Sequence, residues 1–243
     1  MSQTSDLPPA VVNALIRRER LALVGRLLRG LVHNFSGALQ TVRLPLDLLE
    51  LQVMRGGDMD LKAKMGSLQQ GVSRLNDELN MLAGMSQQIY RQATEVLDLC
   101  GLAREQLTFW RADMFFKHEA QVDSQLPPNA QKVEASYADI ALALNLLMAN
   151  ALESLHQNGK SSLRLEFVDR GGQVGLRIID EGPGPSPQMA PRMFEPFTGD
   201  KGPGHEGLGL FLAREVLNRW QGQLLWAENP PGAFELLLPR AAG

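Results

Sequence analysis

Cysteine is almost absent from this chain: Cys100 is the only one in 243 residues. One thiol excludes an intramolecular disulfide and any thiolate zinc cluster, and it fits a reducing cytosol. An excess of one charge is also lacking. Lys and Arg number 24 against 27 Asp and Glu, a formal net charge of -3, so neither nucleic acid nor an anionic membrane is indicated as the main partner. No run of about 18 apolar residues occurs, so no membrane segment is expected. The opening MSQTSDLPPAVV has no basic start followed by an apolar core, so no signal peptide is expected. Aromatics make up only 6%, yet 44% hydrophobic and 21% charged residues are ordinary for a chain that buries a core. Disordered, collagen-like and membrane-barrel chains are thereby excluded. The length suits one large domain or two small ones, and the expectation is a soluble cytoplasmic protein.

The first ninety residues carry a helical pattern. Leu21, Leu28, Phe35, Val42 and Leu49 recur every seventh residue, with Val24, Leu31 and Ala38 as a partner series. This is the pattern of a helix packed lengthwise on other helices. A second series runs through Leu61, Met65, Leu68, Val72, Leu75, Leu79 and Leu82. Between them Arg55-Gly56-Gly57-Asp58 reads as the tip of a helical hairpin, and Pro45 is expected to kink the first helix. A hairpin with one apolar seam per helix buries little alone. It is expected to form a four-helix bundle as a symmetric homodimer.

From about Ala93 the pattern changes. Strands are expected at Ala120–Val122, Leu163–Val168, Val174–Ile179, Leu224–Ala227 and Phe234–Leu238, with helices at Leu97–Trp110, Tyr137–Gln157 and Leu208–Trp220. Asp169-Arg170-Gly171-Gly172 reads as a hairpin turn, and residues 199–206, GDKGPGHE, as a mobile loop. The fold class is α+β. The expected domains are 10–92, the hairpin, and 93–243, a mixed domain.

Five short elements could carry chemistry. His33, in Leu31-Val32-His33-Asn34-Phe35, falls at an outward heptad position if Phe35 faces the seam. A neutral imidazole there keeps a free ring nitrogen as a nucleophile. In Met148-Ala149-Asn150-Ala151-Leu152-Glu153, Asn150 offers the neutral oxygen that suits magnesium. In Ile179-Asp180-Glu181-Gly182-Pro183-Gly184 a strand ends on an Asp able to accept a bond from an exocyclic amine, and two glycines admit a flat ligand. Met193-Phe194-Glu195-Pro196-Phe197 is followed by Gly207-Leu208-Gly209-Leu210, glycines at a helix start that leave amides free for phosphate. Lys201 lies between them as a possible point charge for a terminal phosphate.

In their order and spacing these elements resemble the transmitter core of two-component sensor histidine kinases. LVGRLLRGLVHNF is similar to the helix carrying the phosphoacceptor, MANALES to the Asn motif, and IIDEGPG to the first glycine motif. MFEPF and GLGLFLAREVLNRWQGQL resemble the phenylalanine and second glycine motifs. The resemblance runs from about Glu19 to Leu238. It implies a dimeric hairpin bundle followed by an α/β sandwich of the histidine kinase and GHKL type, which binds ATP and Mg2+ beneath a mobile lid. Asn150 would hold magnesium, Asp180 would read the adenine amine, and Gly182, Gly184, Gly207, Leu208 and Gly209 with Lys201 would frame the nucleotide. The partners implied are a second copy and the receiver domain of a response regulator.

The departures bear on activity. Where the family places an acid after the histidine this chain has Asn34, which cannot take a proton. Ala38-Leu39 stands for a Pro-Leu pair, and Gly37 for a Thr or Asn. Leu146 stands for a second Asn, with Asn145 one residue out of phase. His205-Glu206 precedes the second glycine motif, putting a carboxylate unfavourably near phosphate unless magnesium or Lys201 offsets it. The hairpin begins near residue 10, so the chain is expected to be either a fragment of a longer kinase or a protein fed by a separate sensor. Three functions remain open. They are an ATP-dependent kinase acting on His33, a histidine phosphotransferase or weak pseudokinase relaying phosphate through His33, and a scaffold. Asp180, Gly182 and the GLGL run are all present, which favours the kinase.

Overall fold

The structure is a computed structural model that describes residues 7–55, 61–199, 206–227 and 229–241. Two long helices open it, α1 (Pro9–Arg55) and α2 (Leu61–Tyr90). Pro9 takes the first helical position, where its missing N–H costs nothing. The helix then runs on through Pro45. The two helices approach closely at Gly71, where a Cβ would lie 2.5 Å from Val42 Cγ2. The expected tip, Gly56-Gly57-Asp58, lies outside the described residues, as do the side chains of Leu61 and Leu82.

The seam of α1 differs from the heptad expectation in an informative way. Leu31 and Ala38 are buried and Val24 is half-buried, but Leu21 and Leu28 are exposed. With Val32, Leu39 and Leu46 they form an open apolar stripe on α1, and Met65, Val72 and Leu79 form another on α2. One hairpin can cover only one face of each helix. The second apolar face stays open within a single chain.

The remainder comprises β1 (Thr94–Asp98), α3 (Leu99–Trp110), α4 (Met114–His118), β2 (Gln121–Gln125), β3 (Lys132–Ser136), α5 (Tyr137–Gln157), β4 (Ser162–Asp169), β5 (Gln173–Asp180), α6 (Gly209–Asn218), β6 (Gln223–Ala227) and β7 (Ala233–Pro239). Five strands form a sheet in the order β2-β4-β5-β7-β6, with β2 parallel to β4 and the other pairs antiparallel. β1 and β3 pair separately. Asp169 to Gly172 does turn β4 into β5: Arg170 N donates to Gln173 O at 2.8 Å. α3 starts two residues later than expected, because Leu97 and Asp98 belong to β1 and the Asp98 carboxylate caps Cys100 N.

α5 is the central core helix. Ser136 caps it, and Ile140, Ala141, Leu144, Leu147, Met148, Ala151 and Leu155 pack into one cluster with Leu163, Leu165, Leu176, Ile178 and Leu236 of the sheet and Leu212 and Val216 of α6. It is long and apolar enough to cross a membrane by length and composition. Yet 72% of its apolar window is buried inside the fold, as befits a core helix. Asn145, the out-of-phase residue, is buried in a polar chain. Trp110 Nε1 donates to Asn145 Oδ1 at 2.6 Å, Asn145 Nδ2 to Gln106 Oε1 at 2.7 Å, and Gln106 Nε2 to the Tyr137 hydroxyl at 2.9 Å. Each buried polar group finds a partner there, which ties α3 to α5.

The upstream third of α1 packs on this α/β body. Val12, Ile16 and Leu23 are buried in the shared core. Arg20 of α1 pairs with Asp139 of α5, which also accepts from Trp220 Nε1 at 2.9 Å. Burial pulls the Arg20 guanidinium below the usual arginine range, with Asp139 acting against it. Farther along, Lys117 Nζ of α4 donates to Asn34 Oδ1 at 2.9 Å.

Candidate functional site

A cavity of about 760 Å³ opens where β5, α5, the start of α6 and α1 converge. That volume is in the range of small-molecule and cofactor sites. Asp180, at the end of β5, is buried on its floor. Its Oδ1 accepts from Gly182 N at 2.8 Å and from Ser154 Oγ of α5 at 3.1 Å, so backbone and helix fix the carboxylate. The turn leaves no space for a side chain: a Cβ on Gly182 would sit 1.9 Å from Ser154 Oγ and 2.5 Å from Asp180 Oδ1. Gly184 lines the cavity beside it.

α5 brings Asn150 and Glu153 to the cavity, one helical turn apart and both half-buried. Gly207, Leu208, Gly209 and Leu210 supply another wall. Gly207 has φ +63, and a Cβ there would lie 2.5 Å from Thr198 C and O. Only glycine lets the chain return this close to Thr198, so Thr198 and Gly199 meet Gly207 at the cavity wall. Leu208 is buried and caps α6 through its backbone alone, with Leu212 N donating to Leu208 O at 2.9 Å and no side-chain cap. The amides of the first turn of α6 thus lie at the cavity wall. In the preceding motif Met193 is buried, Phe194 lies under the Arg214 guanidinium at 5.6 Å, and Phe197 is exposed with φ 60.

The structure thus gathers Asn150, Asp180, Gly184, Gly207, Leu208 and Gly209 at one cavity, with Gly182 directly beneath Asp180. Lys201 and His205, and most of the expected mobile loop, lie outside the described residues. His33 is on α1, and its side chain also lies outside them. Glu206 is not left facing phosphate alone: Arg18 of α1 binds both its oxygens, one at 3.1 Å, and that bond raises the Arg18 pKa.

Sequence reasoning missed the wall that α1 contributes. Glu19, Ala22 and Arg26 line the cavity. Their 3-and-4 spacing defines one face of the helix, and position 33, seven residues past Arg26, continues that face. The spacing was visible in the sequence, but the docking of α1 on the cavity was not. Gly232, whose carbonyl accepts from Asp180 N at 3.2 Å, was missed as well, as was Phe115, edge-on to His156 with ring centres 5.2 Å apart.

These residues fit a magnesium nucleotide. The floor is a fixed buried carboxylate over a glycine turn, Asn150 and Glu153 offer oxygen donors of the kind magnesium prefers, and glycine amides open a helix. Residues 136–241 match the family described as histidine kinase-, DNA gyrase B-, and HSP90-like ATPase. Among solved structures, the catalytic domain of the histidine kinase ThkA superposes with a TM-score of 0.53 at 23% identity, covering 62% of this chain and 99% of that one. It shares the fold of the α/β body.

Residues 136–241 therefore constitute an ATP-binding domain of that class. The relatives extend the likeness to the hairpin. The C4-dicarboxylate transport sensor protein DctB of Rhizobium meliloti is 24% identical over 98% of this chain and 38% of its own length. The signal transduction histidine-protein kinase AtoS of Escherichia coli is 25% identical over 93% of this chain and 36% of its own length. The sensor protein PfeS of Pseudomonas aeruginosa is 36% identical over 46% of this chain and 25% of its own length. This chain is similar along its length to two-component histidine kinases, which supports a transmitter core with a catalytic ATP-binding domain. It spans well under half the length of these relatives.

Proposed function

We propose that this chain is the cytoplasmic core of an ATP-dependent protein-histidine kinase that phosphorylates His33 and passes the phosphoryl group to an aspartate of a response-regulator receiver domain. The observation that carries this reading is the shared cavity: Asp180, Asn150 and the Gly207–Gly209 turn meet the face of α1 on which position 33 lies. Asp180 would accept a hydrogen bond from the adenine amine. Asn150, with Glu153 one turn on, would hold magnesium, which supplies neutralisation of the phosphate charge when bound. The amides opening α6 would face the phosphates, with Lys201 reaching over them. His33 would attack the terminal phosphorus through one ring nitrogen, forming an N–P bond as the bond to the bridging oxygen breaks and ADP leaves. Asn34 can orient the ring but cannot take its proton, so slow forward labelling is expected and reverse receipt of phosphate from a regulator is the easier reaction to detect.

Residues 10–92 would serve as dimerisation and phosphotransfer hairpin, and 93–243 as nucleotide domain. The open apolar stripes, Leu21, Leu28, Val32, Leu39 and Leu46 on α1 with Met65, Val72 and Leu79 on α2, support a four-helix bundle with a second copy. The signal would enter from a separate sensor or from a further part of a longer chain.

Incubation with γ-labelled ATP and magnesium is the test. Acid-labile label on wild type and none on His33→Ala is expected. Equal label on both would end the assignment of His33. A chain that binds no ATP, yet is labelled by a phosphorylated regulator, would leave the relay reading standing.

A further inference from the structure

The charges around the cavity are lopsided. Five carboxylates line it, Glu19, Asp113, Glu153, Asp180 and Glu206, against one Arg or Lys among the described lining residues, Arg26. A triphosphate brings several more negative charges into that space, and repulsion from the carboxylates has to be offset. Two neighbouring cations of α1 are already engaged: Arg18 holds Glu206 and Arg20 holds Asp139. Arg26 is exposed to the cavity and makes no hydrogen bond or ion pair with any described residue.

Its place along α1 gives it a direction. Glu19, Arg26 and position 33 follow one another at seven-residue intervals, so they share a face to within about 20° per step. Arg26 stands about 10.5 Å along the axis from position 33, at 1.5 Å per residue. The phosphate that His33 would receive must lie toward that face.

We propose that Arg26 is a phosphate-binding residue that the phosphoacceptor helix contributes to the nucleotide site, and that it engages the terminal phosphate of ATP within the same chain. This rests on the nucleotide-binding reading above. A guanidinium offers paired N–H groups that match two phosphate oxygens, and it carries its charge at all working pH values. Because the pairing is with the terminal phosphate, Arg26 separates ATP from ADP. Asp180, at the adenine end, does not.

Calorimetric titration of the full chain with ATP and with ADP, each with magnesium, tests this. A lost charge-assisted bond to phosphate corresponds to a weakening of about 10- to 100-fold. Arg26→Ala is therefore expected to weaken ATP binding by at least tenfold and ADP binding by less than threefold, and Arg26→Lys is expected to recover part of the loss. Asp180→Asn should weaken both nucleotides alike. Arg26→Ala that leaves ATP affinity unchanged, or lowers ATP and ADP equally, overturns the proposal while the nucleotide site stands. A wild-type chain that binds neither nucleotide overturns the site and the proposal together.

Discussion

Asn34→Asp is expected to speed phosphorylation of His33, and the structure sets the size of the gain. Asn34 is half-buried on α1, and its Oδ1 accepts from Lys117 Nζ at 2.9 Å. Asp keeps the size of the side chain and keeps that acceptor. What it adds is a carboxylate beside the histidine, and general-base help of this kind is typically worth about 10²–10⁴-fold. Lys117 works against part of it. An exposed carboxylate–ammonium pair is worth about 0.2–1 kcal/mol, which lowers the basicity of the new carboxylate by less than about one pKa unit. If the rate followed basicity in full, the loss would be at most about tenfold, leaving a net gain of about 10–10³-fold. Adding Lys117→Met should release up to about tenfold more. The assay is rapid-quench counting of acid-labile label at saturating ATP, with nucleotide affinity measured alongside. Labelling by Asn34→Asp within twofold of wild type, with Lys117 present or replaced and ATP affinity intact, would refute the reasoning from the missing base.

Gly182→Ala would press a methyl group against Ser154 Oγ and Asp180 Oδ1. It should weaken ATP binding at least as much as Asp180→Asn, for which about 1–3 kcal/mol is expected; unchanged calorimetric affinities in both variants would reject the assigned floor of the site. Light scattering at micromolar concentration should give about twice 26.8 kDa, and Val72→Glu, on the open stripe of α2, should shift the chain to monomer with its helical signal retained. A wild-type monomer would count against the bundle. Glu235 is buried in β7. Burial pushes its carboxyl up, but hydrogen bonds from Arg177 and Arg170 outweigh that and hold it below the usual carboxylate range. A group lowered on folding stabilises above its unfolded pKa and loses that contribution as the pH falls through the folded value. Melting temperature should therefore drop from about pH 5 downward, and Glu235→Gln should lower stability at pH 7 and flatten that slope. An unaltered slope would show that another group sets it.

The sequence was most legible where local chemistry and burial agree. Tyr137–Gln157 could be bounded to the residue, because Ser136 is a cap and a mostly apolar run follows it. β4 and β5 were readable from alternation and from the Asp169–Gly172 turn. β1 and β3 were not, since TEVLD and KVEAS are five residues each and Val96 faces out at 59% exposure. α4, also five residues, leaves too short a period to detect. The heptad of α1 foretold an apolar seam but not which face the chain fills itself: Leu31 and Ala38 are covered, whereas Leu21 and Leu28 are left open. At the site, glycines and Asp180 were legible because a turn restricts residue type locally. The Arg20–Asp139 and Arg18–Glu206 pairs join positions more than a hundred residues apart, and nothing local in the sequence announces them.

α1 is a single helix of 47 residues, about 70 Å along its axis at 1.5 Å per residue. Its upstream part is anchored to the α/β body through Val12, Ile16, Arg20 and Leu23, while position 33 lies farther along the same helix. Length between the anchor and the histidine is therefore a matter of phase. Inserting one residue in 27–32 would turn everything downstream by about 100°, carrying position 33 off the face that Glu19 and Arg26 define without disturbing any contact upstream. Inserting seven would restore the face to within about 20° but move the histidine about 10.5 Å away. Evolution can change the identity of residues in that interval far more freely than their number. A homologous chain with a different count there would have to seat its nucleotide domain elsewhere on the helix.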